Sequence, residues 1–273
     1  MVIERLEQAA RFILCAEYRK DFFELRKLAR YPRYTHGETS LLGSPFQFCD
    51  AASFISSYQA IFKRQIYTFS AQTEQPLIID CGANIGLAVF FWKQRYPQSR
   101  IIAFEADPLV FELLEDNCKA YGWENVELVN KAVWSVETTL PFWQERADAG
   151  QLVTTDADTQ VDKYRNGAIV TVKTVQLSSL LNVHVDLLKL DVEGAEMEVL
   201  RECKEKLQNV QHLFVEYHSF VDGGQELDEL LSILKAAGFR YHIQPELVAQ
   251  RPFVQHLENL GMDQRLNIFA YRL

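Results

Sequence analysis

From residue 77 onward the chain alternates short, uninterrupted apolar runs with longer stretches of helical periodicity. Leu77-Ile78-Ile79, Ile101-Ile102-Ala103-Phe104 and Leu187-Leu188-Lys189-Leu190 are too short for helices and lack the alternating polar positions of a half-exposed strand. Each therefore reads as a strand buried on both faces. The pattern predicts strands at 77–80, 101–105 and 126–130, with helices over 85–96 and 108–121 between them. The second helix opens on Asp107-Pro108, an N-cap followed by a proline whose missing N–H costs nothing in a first turn. A fourth strand at 186–190 runs into a helix with Ala195, Val199, Leu200, Cys203 and Leu207 on its apolar face. A fifth, at 212–218, precedes a helix over about 225–237 that stops at Gly238. Residues 241–244 and 266–271 look like a closing pair. Strands and helices alternating in this way mean right-handed crossovers and an α/β fold with a mostly parallel sheet.

The flanks read differently. Ile3, Leu6, Ala10, Ile13, Leu14, Phe22, Leu25 and Leu28 recur at helical spacing among charges, which predicts an amphipathic helix over the first 30 residues, broken once. A β-like piece at 41–48 and a helix at 54–62 follow. The division expected is an N-terminal helical and aromatic cap over 1–72 and a ligand-binding domain over 73–273. The cap lies over one edge of the core, is suited to help wall an acceptor pocket, and offers its helices for a homodimer contact. Residues 141–167 are polar and aperiodic and read as a long loop which, with 245–264, shapes the pocket.

A hydrophobic content of 48% supplies a full core, and a net charge of −9 disfavours a partner gripped through phosphates, so no nucleic acid is expected. The five cysteines are scattered without a C-x-x-C pair, as in a reduced cytoplasmic protein. Neither a signal peptide nor a membrane span is expected from the sequence.

The chemistry concentrates where strands end. Asp80-Cys81-Gly82-Ala83-Asn84-Ile85-Gly86 turns from the first core strand into a helix, and its glycines are expected to let backbone approach a ligand. Glu105 ends the second strand, 25 residues beyond Asp80, where one carboxylate can accept both hydroxyls of a ribose. A dinucleotide site needs G-x-G-x-x-G so that pyrophosphate can rest on the middle glycine. Asn84 occupies that position here, so a phosphate-free nucleoside such as S-adenosylmethionine fits better than a nicotinamide dinucleotide. An oxidoreductase using the latter is the alternative enzyme; a non-catalytic module binding through the N-terminal helices is the alternative outside catalysis. The rule that ligands bind at the carboxyl ends of parallel strands collects Asp80, Glu105, Asp191, Glu193, Glu216 and His218 on one rim. Asp191 and Glu193 read equally well as caps of the helix starting near Gly194, and Lys189 as an ion-pair partner of one of these acids.

Tyr58-Gln59-Ala60-Ile61-Phe62, Tyr67-Thr68-Phe69, the Asp80 to Gly86 turn, Ala103-Phe104-Glu105-Ala106-Asp107-Pro108, Asn130-Lys131-Ala132-Val133 and Leu188-Lys189-Leu190-Asp191-Val192-Glu193-Gly194-Ala195-Glu196 together resemble the FkbM family of S-adenosylmethionine-dependent methyltransferases. The likeness covers roughly residues 55–218, and Ala106 departs from a proline frequent in the family. It implies a class I, Rossmann-like sheet of seven strands and O-methylation of a sugar, glycolipid or natural-product hydroxyl. The absence of a proline-rich turn after Asp191 agrees with oxygen as the acceptor atom. The expected donor contacts are Asp80, Gly82, Ala83, Asn84 and Gly86 at the methionine end, Glu105 and Ala106 at the ribose, Lys131, Ala132 and Val133 at the adenine, and Asp191. His218 is expected as general base, with Glu193 second and Asp191 beside them. No metal ligands are assigned, although Asp191 and Glu193 suffice to hold a divalent cation, which activity in EDTA would exclude.

Overall fold

The structure, a computed structural model, describes residues 15–145, 147, 150–153, 167–221, 223–247, 251, 253–254 and 262–273. The first half of the expected N-terminal helix and most of 154–166 and 248–261 lie outside these.

The chain enters through helix α1 (Ala16–Leu28) and a small antiparallel hairpin, β1 (Gly37–Thr39) with β2 (Phe46–Phe48). The hairpin occupies the stretch read as a single β-like piece. Helix α2 (Ala51–Tyr58) is capped by Asp50, whose carboxylate accepts from Ser53 N at 2.9 Å, and runs on into a π turn, Gln59–Lys63. Then come β3 (Leu77–Cys81), α3 (Leu87–Arg95), β4 (Arg100–Phe104), α4 (Pro108–Tyr121) and β5 (Val126–Val129). Asp107 caps α4 as expected, and Gly122 closes it at a φ of 60°.

The next segment departs from the sequence reading. Strands β6 (Ala132–Trp134), β7 (Thr139–Gln144), β8 (Gln151–Leu152) and β9 (Ala168–Gln176) make a second sheet in the order β6-β9-β7-β8. Residues 139–144 are thus a strand and not the start of a loop. Their partners on β9 are 24 or more positions on, with Gln144 opposite Ala168, and no local periodicity announces such a register. The main sheet resumes with β10 (Val185–Leu190), α5 (Glu196–Cys203), β11 (Val210–Phe220), α6 (Leu227–Ala236) and the antiparallel β12 (Arg240–Leu247) and β13 (Met262–Tyr271).

Seven strands stand in the order β12-β13-β11-β10-β3-β4-β5, parallel from β11 through β5. Consecutive residues of its inner strands serve opposite cores. Ile78, Ile101, Leu187 and Phe214 face α3, α4 and the N-terminal segment, whereas Ile79, Ile102, Leu188 and Val215 face α5 and α6. Both faces are covered, which is why the strands carry no polar alternation. Chain order reverses between β3 and β10, and the crevice there is where an open α/β sheet binds its ligand. No helix among the described residues is long and apolar enough to cross a membrane.

Candidate active site

A cavity of about 200 Å³ opens at this reversal. Its walls include Gly82, Ala83, Asn84, Glu105, Ala106, Lys131, Ala132, Val133, Asp191 and Glu193. Of the residues expected in the site, Asp80, Gly86 and His218 are not among those walls.

Glu105 follows directly on β4. Its Oε2 accepts from Asn84 N and its Oε1 from Asp107 N, each at 2.9 Å. Two backbone donors thereby fix the carboxylate and leave lone pairs for a ligand. Burial pushes its carboxyl up to about 7, against the pull of those N–H groups. Asn84 reaches this position through a left-handed φ of 49°, which Asn tolerates better than most residues, and its own Oδ1 accepts from Ile85 N at 2.7 Å. Asn130 Nδ2 donates to the carbonyl of Glu105 at 2.9 Å, tying the end of β5 to the rim and setting Lys131 to Val133 along the cavity.

Below the rim Lys189 is buried with its Nζ 2.8 Å from the Gly82 carbonyl, 3.2 Å from Asp80 and 3.3 Å from Asp191. Burial works against its charge, but Asp80 and Asp191 outweigh it and hold the amine well above its ordinary pKa. Asp80 is fully enclosed, and burial raises its carboxyl despite Lys189. It anchors the lysine beneath the site and is not among the cavity's walls. Gly82 lines the cavity, and Gly86 does not. A Cβ on Gly82 would stand 1.9 Å from the Asp191 carbonyl, and one on Gly86 2.8 Å from Leu114 Cδ1. Their bare faces admit other parts of the protein, and their φ values of 86° and 93° make the turn.

Opposite Glu105 stands an acidic cluster. Asp191, Glu193 and Glu216 all line the cavity. Asp191 stays below the usual carboxylate range: burial opposes this, but Lys189 and His218 prevail. Glu216 is raised well above it, by burial and by Asp191. The His218 ring is enclosed, with Nδ1 3.0 Å from Glu196 Oε1 and Nε2 3.5 Å from Glu193 and 3.6 Å from Glu216. Burial disfavours its charge, yet these carboxylates together raise its pKa well above the ordinary value. The ring is enclosed behind Glu193 and is not among the walls of the cavity. Nor do Asp191 and Glu193 cap α5. Glu196 satisfies the loop instead, accepting from Val192 N at 3.2 Å and Gly194 N at 3.1 Å. Glu193 is left-handed at a φ of 51°, the kind of local strain that collects at working sites.

Sequence reasoning gave no site role to Tyr67 or Arg265 and placed Glu216 on the rim without a task. Tyr67 and Arg265 also line the cavity, with the Tyr67 ring 5.8 Å from Lys189 Nζ and Arg265 Nε 3.8 Å from Glu216. The π turn and α2 contribute Ser53, Ser57, Ile61 and Arg64, which makes the N-terminal segment a wall of the cavity.

The family model described as Methyltransferase FkbM domain matches residues 80–241. The chain is 30% identical over 177 residues to Methyltransferase sdnD of Sordaria araneosa, covering 55% of this chain and 68% of that one. It is also 30% identical over 161 residues to Methyltransferase 1 of Beauveria bassiana (strain ARSEF 2860), covering 53% and 65%. The chain thus spans about two thirds of the length of these relatives. Among solved structures, Methyltransferase FkbM from Methylobacillus flagellatus KT aligns with 77% of this chain and 47% of its own, at 13% identity and a TM-score of 0.49.

Proposed function

Because the chain belongs to the FkbM methyltransferase family, we propose that it takes S-adenosylmethionine along the ends of β3, β4 and β6 and methylates a hydroxyl of a sugar, glycolipid or natural product. The observation that carries the reading is the Glu105 carboxylate, fixed by two backbone N–H groups on the wall of the cavity at the strand reversal. A carboxylate so held accepts the two ribose hydroxyls, with Lys131 to Val133 beside the adenine and Gly82 to Asn84 beside the amino-acid tail. The fit is chemical as well as spatial. The walls carry acceptors for hydroxyls and a carboxylate, Asp191, for a cationic tail, and Asn84 bars the close approach of a pyrophosphate.

The acid cluster faces the acceptor. Asp191 and Glu193 accept hydrogen bonds from its hydroxyls, and Glu193 takes the proton of the reacting one. As the new O–C bond forms, the C–S bond breaks with its electron pair passing to sulfur, and S-adenosylhomocysteine leaves. Alignment of the three atoms is worth up to about 7–11 kcal/mol and a placed base roughly 10²- to 10⁴-fold. His218 acts through Glu193, as a positioning residue.

Calorimetry with S-adenosylhomocysteine tests the donor site. Glu105→Ala should weaken binding by about 2–4 kcal/mol, since it removes charge-assisted hydrogen bonds; an unchanged affinity removes Glu105 from the site. Incubation with methyl-labelled donor and panels of glycans, lipids and hydroxylated small molecules identifies the acceptor.

A further inference from the structure

Among the described residues, Asp80, Asp191, Glu193, Glu196 and Glu216 surround two permanent cations, Lys189 and Arg265, together with His218. Lys189 pairs with both Asp80 and Asp191, and Glu196 accepts from the Val192 and Gly194 N–H groups. Asp191, Glu193 and His218 can each direct one ligand atom to a common point, because those atoms lie within 4.8 Å of one another. Around an octahedral cation with bonds of about 2.1 Å, ligand atoms stand roughly 3.0 Å apart in cis and 4.2 Å in trans. Atoms as much as 4.8 Å apart must draw together by roughly 2 Å to reach cis positions.

The histidine supplies an independent sign. Its Nε2 is buried and makes no hydrogen bond, although it points toward Glu193 and Glu216 at 3.5 and 3.6 Å. Its other nitrogen, Nδ1, is bonded to Glu196 at 3.0 Å. A carboxylate on one imidazole nitrogen fixes the tautomer and leaves the other nitrogen's lone pair for a metal, the usual surrounding of a metal-bound histidine. Glu193 reaches the cluster only through a left-handed backbone.

We propose that Asp191, Glu193 and His218 form a divalent-cation site on the acceptor side of the cavity, and that its open positions bind the oxygen to be methylated. Two carboxylates and one imidazole suit Mn²⁺ or Mg²⁺, with the nitrogen favouring Mn²⁺. Three protein ligands leave about three of six positions free, and Asp191 and Glu193 turn them toward the cavity. A bound cation would make a coordinated hydroxyl more acidic. The acceptor's role in this inference rests on the methyl-transfer reading above, but cation binding can be measured without it.

The full chain saturated with S-adenosylhomocysteine is titrated with Mn²⁺ and followed by electron paramagnetic resonance. One equivalent should bind, and spin-echo modulation should show a directly coordinated imidazole nitrogen. Glu193→Gln and His218→Gln should each weaken Mn²⁺ binding at least about tenfold, and the second should abolish the nitrogen modulation. Calorimetric affinity for S-adenosylhomocysteine, unchanged within twofold in either variant, shows that the fold has survived. A wild-type protein that binds S-adenosylhomocysteine but no Mn²⁺ at 1 mM (roughly 4 kcal/mol of affinity) overturns the site, as does Mn²⁺ binding indifferent to both substitutions. One equivalent of Mn²⁺ bound with imidazole modulation, in a protein that ignores S-adenosylhomocysteine, supports the cation site and removes the donor reading instead.

Discussion

Glu105 carries two opposite dependences on pH, and the pair identifies its role. Burial lifts its carboxyl to about 7 from an ordinary value of 4.5, opposed by the Asp107 and Asn84 N–H groups and by Lys189, and aided by the Asp107 charge. Since the folded pKa is the higher, the protonated form favours the fold. That contribution, about 3 kcal/mol, is complete below pH 4.5 and is lost as pH rises through 7. Donor binding runs the other way, because ribose hydroxyls donate to the ionised form. The affinity for S-adenosylhomocysteine should be full above pH 8 and fall about tenfold per pH unit below 7. Calorimetry between pH 5.5 and 8.5 checks this, with Glu105→Gln expected to flatten the profile. A flat wild-type profile would show that the ligand does not engage the carboxylate.

At the level of elements, the turn from β3 into α3 is held by its neighbours more than by its own sequence. Gly82 sits where β3 and β10 finish, with Lys189 drawing both ends together through the Gly82 carbonyl, Asp80 and Asp191. Gly82→Ala must place a methyl 1.9 Å from a backbone oxygen at a φ of 86°. The left-handed backbone alone costs about 1–2 kcal/mol, and the collision is with main chain that cannot swing away. A total near 3 kcal/mol or more should lower Tm by roughly 6–12 °C in a thermal melt; an unaltered Tm would mean that the two strand ends part easily. The glycine and its turn were legible in the sequence, but its purpose was not. A glycine after a buried strand signals a close approach, and only the fold tells whether ligand or protein approaches. The buried strands were equally legible, since burial on both faces leaves an uninterrupted apolar run. His218 shows the opposite limit. Sequence places it at the end of β11, on the same side of the strand as Glu216, yet Glu216 lines the cavity and the His218 ring does not. The bond from Glu196, on another helix, decides that, and no spacing within β11 encodes it.

At the scale of the molecule, the N-terminal segment and the sheet share one core and one cavity. Phe46 and Phe62 pack against Phe90 at centroid distances of 6.3 and 5.8 Å. Asn117 of α4 donates to the Gln47 carbonyl at 3.0 Å and to that of Ile85 at 2.9 Å. The same layer that buries α3 therefore sets the distance between α2 and the strand ends. These contacts join residues 28 to 70 positions apart, so a pass along the chain finds the aromatic segment but not the surface that it covers. The arrangement divides labour between the walls. Residues after β3, β4 and β5 stand on the side proposed for the donor, whereas Ser53, Ser57 and Arg64 line the cavity from the N-terminal segment, the wall we assign to the acceptor. A bulky side chain on α2 should then obstruct one ligand and spare the other. Ser57→Trp is expected to reduce methyl transfer at least about tenfold, a change typical of altered pocket volume, while calorimetric affinity for S-adenosylhomocysteine stays within about twofold. If the variant lost donor affinity as severely as transfer, α2 would belong to the donor's wall, and the acceptor would have to enter past the second sheet instead.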